Sequence, residues 1–438
     1  TSAPTAEPGG AYLFLPVVVF PSLQTTVPLG TLQGLASGVA VPKLVLDESV
    51  ALALQGYGVA LNPAVPVVPL DALYNTLWRD RSLYTLLPIE RLSPRYRALR
   101  VTDAGDAYGL HPFDVPSYPF SFNSSTPNFY RDRLTRVLLS GVTALTRQTT
   151  NSLDKNGVTW AGEAIKPYAD RADFFHTSNE VSFISTCPYS NETPLGAFCS
   201  KPEHFALFPY IGLDIVELTG NHNNDYGYDA YRETLKFYHD SGIRTVGGGE
   251  TPDEAQQPLI IEHNGNRVAW VACNWAGPYY AVASDDRPGT ASCEWGWLRA
   301  ILPELAATSD LLIVSMQHWE YEEYLPTDQQ RSDFRGLADL GADVVVGTQA
   351  HKPQVYEFYN RAQGEQAFLH YGLGNLFFDQ PFWGNMRFFM DELFVYEGRL
   401  LGVGLFAGII DDLARPRPMT AEEELNFLAF MFNTQGGY

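Results

Sequence analysis

A chain of 438 residues with 45% hydrophobic and 18% charged residues has an ordinary globular composition, and it is longer than one hydrophobic core usually supports, so two domains are expected. Its 29 Lys and Arg against 50 Asp and Glu give a formal charge of -21, which excludes nucleic acid as a partner because no basic field is available for a phosphate backbone. No run approaches the roughly 20 apolar residues of a spanning helix, so no transmembrane segment is expected.

The start, Thr1 to Gly10, lacks Met and reads as a flexible stalk following a cleaved signal or a lipid-bearing Cys. Residues 11–125 alternate short apolar runs with helical stretches and predict a small α/β domain, with strands over 12–20 and 43–46 and helices over 47–55 and 70–80. Its passage 83–101 loosely resembles one lobe of a periplasmic substrate-binding domain. The Pro-, Ser- and Asn-rich stretch 111–129 marks the boundary.

The second domain, 130–415, opens with a buried-type strand over 134–139 and continues in βα units. Asn179 and Glu180 stand where the strand in "DFFHTSNEVSF" stops, and "GLDIVELTGNH" leads to a helix over 229–240 that packs Tyr231, Leu235 and Tyr238 and ends at Gly242. Thr251 to Glu254 is a capping box with Pro252 at the first helical position, and Asn264-Gly265 is a hairpin turn. Later strands fall at 311–316, 343–347 and 367–371, and Thr420 caps a last helix within the C-terminal segment 416–438.

Cys187, Cys199, Cys273 and Cys293 form no C-x-x-C, so two local disulfides, 187–199 and 273–293, are the simplest pairing. That pairing places the protein outside the cytosol, at the cell surface or beyond; four free thiols in a cytosolic protein are the alternative. Asn123 and Asn191 head N-x-[ST] sites, which matter only in a host that glycosylates.

Polar residues recur at the ends of successive strands: Asn179 and Glu180, then Asn221, His222 and Asp225, then His318 with Glu320 and Glu322, then Gln349 and His351. Ligands of an open α/β sheet bind at that edge, so four strand ends are expected to converge on one site. Imidazoles, carboxylates and carboxamides together suit one divalent ion such as Zn, Mn or Fe, which would lower the pKa of a bound water. His176, His204, His239, His263 and His370 read as structural, having no second ligand type beside them at a strand end, and Asn223 and Asn224 read as turn formers.

"ELTGNHNNDYG" (217–227), the stretch from Ile313 to Phe358 and "FLHYGLGNLFFDQ" (368–380) resemble signature blocks of the bacterial CapA family of poly-γ-glutamate capsule synthesis proteins. The resemblance covers about 133–415 and implies a calcineurin-like metallophosphoesterase fold, a two-layered β-sandwich flanked by helices, with a capsule or cell-envelope polymer as partner. It assigns Asn221 and His222, with Asp225 nearby, to the catalytic centre, and carries Asn179 and Glu180 over from the family's Asn-Leu-Glu block. Two departures stand out. The family's Gly-Asp-Val Asp falls on Val142 or Thr143 in "SGVTALTR", and its His-Pro-His becomes Gln349-Ala350-His351; Glu320 replaces a Gly after His318-Trp319.

The resulting expectation is an extracellular metal-dependent hydrolase in which Glu180, His222, His318 and His351 hold the ion, with Asn179 and Gln349 beside them. The alternatives are a surface protein without metal that uses the fold as a polymer-binding scaffold, and a self-assembling structural unit.

Overall fold

The structure is a computed structural model that describes residues 10–106, 108–188, 196–362, 364–381 and 384–435. Asn191, most of the N-terminal stalk and the end of the C-terminal tail lie outside the described residues. The chain forms two compact units, one from Thr1–Leu134 with Phe394–Gly404, the other from Thr135–Leu393 with Leu405–Tyr438.

The first unit is organised by one strand, Ala11–Val19. Its residues from Leu13 to Val19 are buried without alternation, the mark of a strand covered on both faces. It pairs antiparallel with Thr85–Pro88, Tyr96–Ala98 and Ser121–Asn123. Expected helices form close to the predicted places: Asp47 caps Glu48–Gly56 by accepting from the amides of Ser49 and Val50, and a 3-10 turn over Leu70–Ala72 leads into Leu73–Arg79. The predicted strand at 43–46 shrinks to Leu46–Asp47, paired in parallel with Val67–Val68. Within the passage 83–101, Thr85–Pro88 and Tyr96–Ala98 join Ala11–Val19 antiparallel, while Arg100–Thr102 pairs in parallel with Thr26–Pro28. Phe394, Tyr396 and Leu401, far away in sequence, are buried in the core of this unit.

The second unit holds two large sheets. The first runs in the order Arg244–Val246, Ile215–Glu217, Phe174–Asn179, Leu134–Thr143, Arg387–Tyr396, Arg399–Asp411 and Arg415–Pro418, with Asn375–Phe377 also on Leu134–Thr143. The second runs Leu259–His263, Asn266–Asn274, Leu311–Gln317, Val344–Gly347, Gln366–His370 and Tyr356–Asn360. Their central strands are parallel and buried almost throughout, as expected of strands covered on both faces. The sheets face each other: His176 packs on Trp270 with ring centroids 4.5 Å apart, Thr348 donates to Glu217 at 2.9 Å, and His370 meets Asp391 at 2.6 Å. His176 and His370 are therefore inter-sheet core residues, and His204 pairs with Asp154 at 2.8 Å.

Helix Tyr228–Ser241 buries Tyr231 and Tyr238 and stops at Gly242, whose φ of 71° ends the helix in the left-handed region. The turn at Asn264-Gly265 joins two antiparallel strands with φ of 51° and 77°. Cys187–Cys199 and Cys273–Cys293 are both disulfide-bonded, and no free cysteine remains among the described residues. No helix of the described residues is long and apolar enough to cross a membrane. The expected α/β class, a β-sandwich flanked by helices, is what the second unit shows.

Candidate functional site

Four strand ends meet at one edge of the second unit. Gly220 makes the approach close: a Cβ there would lie 2.4 Å from Glu180 Cα and 3.0 Å from Asn179 O. Val181 and His222 form a parallel bridge, and Gln317 donates to Asn221 Oδ1 at 3.1 Å, tying the second sheet to the Gly220 loop. His351 follows Val344–Gly347 and brings Nε2 to 3.7 Å from Glu320 Oε1.

His222 and Asp225 form a dyad, Nδ1 to Oδ2 at 2.7 Å. Asp225 is itself held by the Phe198 amide at 2.8 Å and the Tyr280 hydroxyl at 3.3 Å. A carboxylate only accepts, so His222 Nδ1 carries the proton and Nε2 presents its lone pair. Asn375 donates through Nδ2 to Gln380 and to the Asn385 carbonyl, so its Oδ1 accepts from His351 Nδ1 at 2.8 Å, and His351 Nε2 is likewise left bare. Burial, with smaller contributions from His222 and Arg147, lowers the His351 pKa to about 4, so this imidazole is neutral at pH 7.

Glu180 is buried, and neither carboxyl oxygen has a partner. Burial, then the negative charges of Glu320 and Asp225, push its pKa well above the usual carboxylate range, against the pull of Arg147. Glu320 is shifted upward too, by burial and then by Glu322.

Arg147 is the residue that sequence reasoning missed. It begins the helix Arg147–Asn156 at a φ of +47°, unusual for a residue with a side chain. Its guanidinium lies over Phe198 and Phe378, 4.8 and 4.7 Å from the ring centroids, and donates from Nε to Asp379 at 2.9 Å. Phe198 also carries His222, ring to ring at 4.4 Å, so the cation and the dyad share one aromatic support. The signal was present in "SGVTALTR", which ends on this arginine.

The expected ligands keep different hydrogen-bond partners. His318 turns Nε2 to Asp333 at 3.0 Å, a partner on the helix Asp328–Asp339. Asn179 commits its amide to the Val181 carbonyl at 2.6 Å and the Tyr238 hydroxyl at 2.8 Å. Gln349 is buried with its carbonyl oxygen unpartnered, and Glu322 stays largely exposed, 3.3 Å from Lys352. The imidazole lone pairs and the unpartnered Glu180 are chemistry a metal uses, yet no group of three or more His, Cys, Asp or Glu among the described residues is arranged to hold one. The field of the Arg147 guanidinium also reaches Glu180, Glu320 and His351.

A two-sheet α/β sandwich with polar residues gathered from the strand ends of both sheets defines the class of the second unit. The chain matches the family described as bacterial capsule synthesis protein PGA_cap over residues 136–380, and it belongs to that family. It is 25% identical over 257 residues to capsule biosynthesis protein CapA of Bacillus anthracis, covering 57% of this chain and 61% of that one. It is 26% identical over 228 residues to PGA biosynthesis protein CapA of Bacillus subtilis, covering 51% and 57%. The chain thus spans about three fifths of the length of these curated relatives. A 5'-nucleotidase precursor from Thermus thermophilus aligns at a TM-score of 0.42 and 15% identity over 68% of this chain and 58% of that one. A phosphatase from Mycoplasma pneumoniae aligns at 0.40 and 11%, over 64% and 95%. Neither likeness bears on activity.

Proposed function

We propose that this capsule-family chain is an extracellular hydrolase-type domain acting on a capsule or cell-envelope polymer, with His222 as the acid–base residue and Asp225 as its positioning partner. The observation that carries this reading is the 2.7 Å His222–Asp225 bond beside the Arg147 cation. His222 Nε2 takes a proton from the attacking water and returns it to the leaving group, while Asp225 fixes the tautomer and supports the imidazolium that forms in between. The guanidinium of Arg147 stabilises negative charge developing on the attacked group. The two disulfides support an oxidising compartment.

The test is the chain length of purified capsule polymer after incubation with the protein, read by size-exclusion chromatography. Shortening is expected, with the rate falling about 10²–10⁴-fold in His222→Ala. Shortening that persists unchanged in His222→Ala removes the assignment. A second reading, a polymer-binding scaffold without turnover, is favoured by Val142 or Thr143 standing where the family resemblance implies Asp and by Gln349 standing where it implies His; it predicts polymer retention without any change in length.

A further inference from the structure

Phe198 ties the parts of the site together. Its backbone N–H donates to Asp225 Oδ2 at 2.8 Å, the same oxygen that accepts from His222 Nδ1. Its ring meets the His222 imidazole edge-on, with centroids 4.4 Å apart, and the Arg147 guanidinium lies 4.8 Å from the ring centroid. Displacing this one residue takes a donor from Asp225 and a packing surface from both the imidazole and the cation.

The place of Phe198 is set by its neighbour. Cys199 begins the two-residue strand Cys199–Ser200, which pairs in parallel with Ser182–Phe183, and the Ser200 hydroxyl donates to the Leu145 carbonyl at 2.7 Å. Cys199 is also bonded to Cys187, 12 residues away in sequence. So short a ladder is a weak anchor by itself, and the covalent bridge reinforces it.

The two bridges differ in access. Cys273 and Cys293 are both buried, 0% and 2% exposed. Cys199 is buried as well, but Cys187 is partly exposed. Thiol–disulfide exchange needs a path for the attacking thiolate to one of the sulfurs, and Cys187 offers that path.

We propose that Phe198 is a positioning residue of the site and that the Cys187–Cys199 bridge is a redox-sensitive catch that holds it. One thiolate of a dithiol reductant attacks Cys187 Sγ, the bond between the two cysteines breaks, and its electron pair leaves on Cys199 Sγ. The second thiolate of the reductant then breaks the mixed disulfide. Two electrons pass to the protein, the cysteines end as thiols bearing the two protons of the dithiol, and the dithiol ends as a disulfide. With the catch open, the Phe198 amide leaves Asp225 and its ring leaves His222, so the dyad loses its alignment beside Arg147. This rests on the reading of His222, Asp225 and Arg147 as one working site and adds its regulation.

The experiment treats the full chain with dithiothreitol under native conditions, follows each thiol by alkylation and mass spectrometry, and reads hydrogen exchange at the Phe198 amide. Cys187 and Cys199 are expected to be alkylated about tenfold faster than Cys273 and Cys293. Exchange at the Phe198 amide is expected to rise about tenfold when the catch opens and to recover on reoxidation, while the helix Tyr228–Ser241 keeps its protection. Phe198→Ala leaves the sulfurs in place; polymer shortening is expected to fall about tenfold in this variant and to stop responding to reductant. Equal alkylation of the two bridges, a Phe198 amide equally protected in both redox forms, or loss of protection across the helix as well would overturn the proposal. So would polymer shortening that continues undiminished with the catch open or in Phe198→Ala. The expected alkylation and exchange with no shortening in either redox form would remove the hydrolase reading and leave the catch standing.

Discussion

Replacing His351 by Gln tests whether this imidazole is held neutral by burial. Its pKa lies at about 4 in the folded protein against an ordinary 6.5, with burial as the main cause. A folded-state pKa below the unfolded value means that the unfolded chain takes up a proton the folded chain refuses. The stability contributed by the neutral imidazole is therefore complete above pH 6.5 and is lost as the pH falls toward 4. At about 1.4 kcal/mol per pKa unit, the loss reaches about 3 kcal/mol by pH 4. Gln keeps an N–H for Asn375 Oδ1 but does not titrate. Urea unfolding of wild type and His351→Gln at pH 7.5 and pH 4.0 reads the difference. The wild type is expected to lose about 3 kcal/mol more than the variant between the two conditions. Equal losses would refute the buried neutral imidazole and the environment assigned to it.

Removing the Cys273–Cys293 bridge with a double Ser variant should cost about 3 kcal/mol, because the crosslink closes a 20-residue separation; an unfolding midpoint that does not respond to reductant in the wild type would contradict this. Gly220→Ala should cost about 1–3 kcal/mol and perturb the site together with the fold, since the added carbon meets Glu180 backbone; a variant of full stability in denaturant titration would show that the loop has room to move. Thr420→Ala should lose about 1 kcal/mol, as Thr420 and Glu423 cap each other reciprocally at the start of the last helix, measurable by the same titration. Arg147→Lys should lower any polymer turnover while leaving the fold in place, because an ammonium cannot lie flat between Phe198 and Phe378 while bonding Asp379; unchanged turnover would remove Arg147 from the reaction.

What could be read from the sequence was local in character. The hairpin at Asn264-Gly265, the helix ending at Gly242 and the cap at Thr420 each rest on a few adjacent residues whose backbone preferences agree with the structure. The disulfide pairing was legible for a similar reason, since each bridge spans a short segment. The gathering of polar strand ends was legible as a pattern because a parallel sheet places successive carboxyl ends on one edge.

Side-chain direction within that edge was not legible, and the chemistry depends on it. His318 and Asp333 are 15 residues apart and meet only because the helix Asp328–Asp339 returns beside the strand Leu311–Gln317, and this contact fixes the imidazole so that Nδ1 is the nitrogen left open. Arg147 takes its place from Phe198, Phe378 and Asp379, three residues that no spacing rule connects to "SGVTALTR". The departure from the family block at Val142 or Thr143 lies beside the same geometry. Val142, one of the two positions where the resemblance implies a metal-binding carboxylate, is buried in a small apolar cluster with Ala144, Val181 and Phe378, against the ring that carries Arg147. Phe378 joins the two features: it packs against Val142 and supports the Arg147 guanidinium, so the departure from the family block and the cation of the site share one side chain.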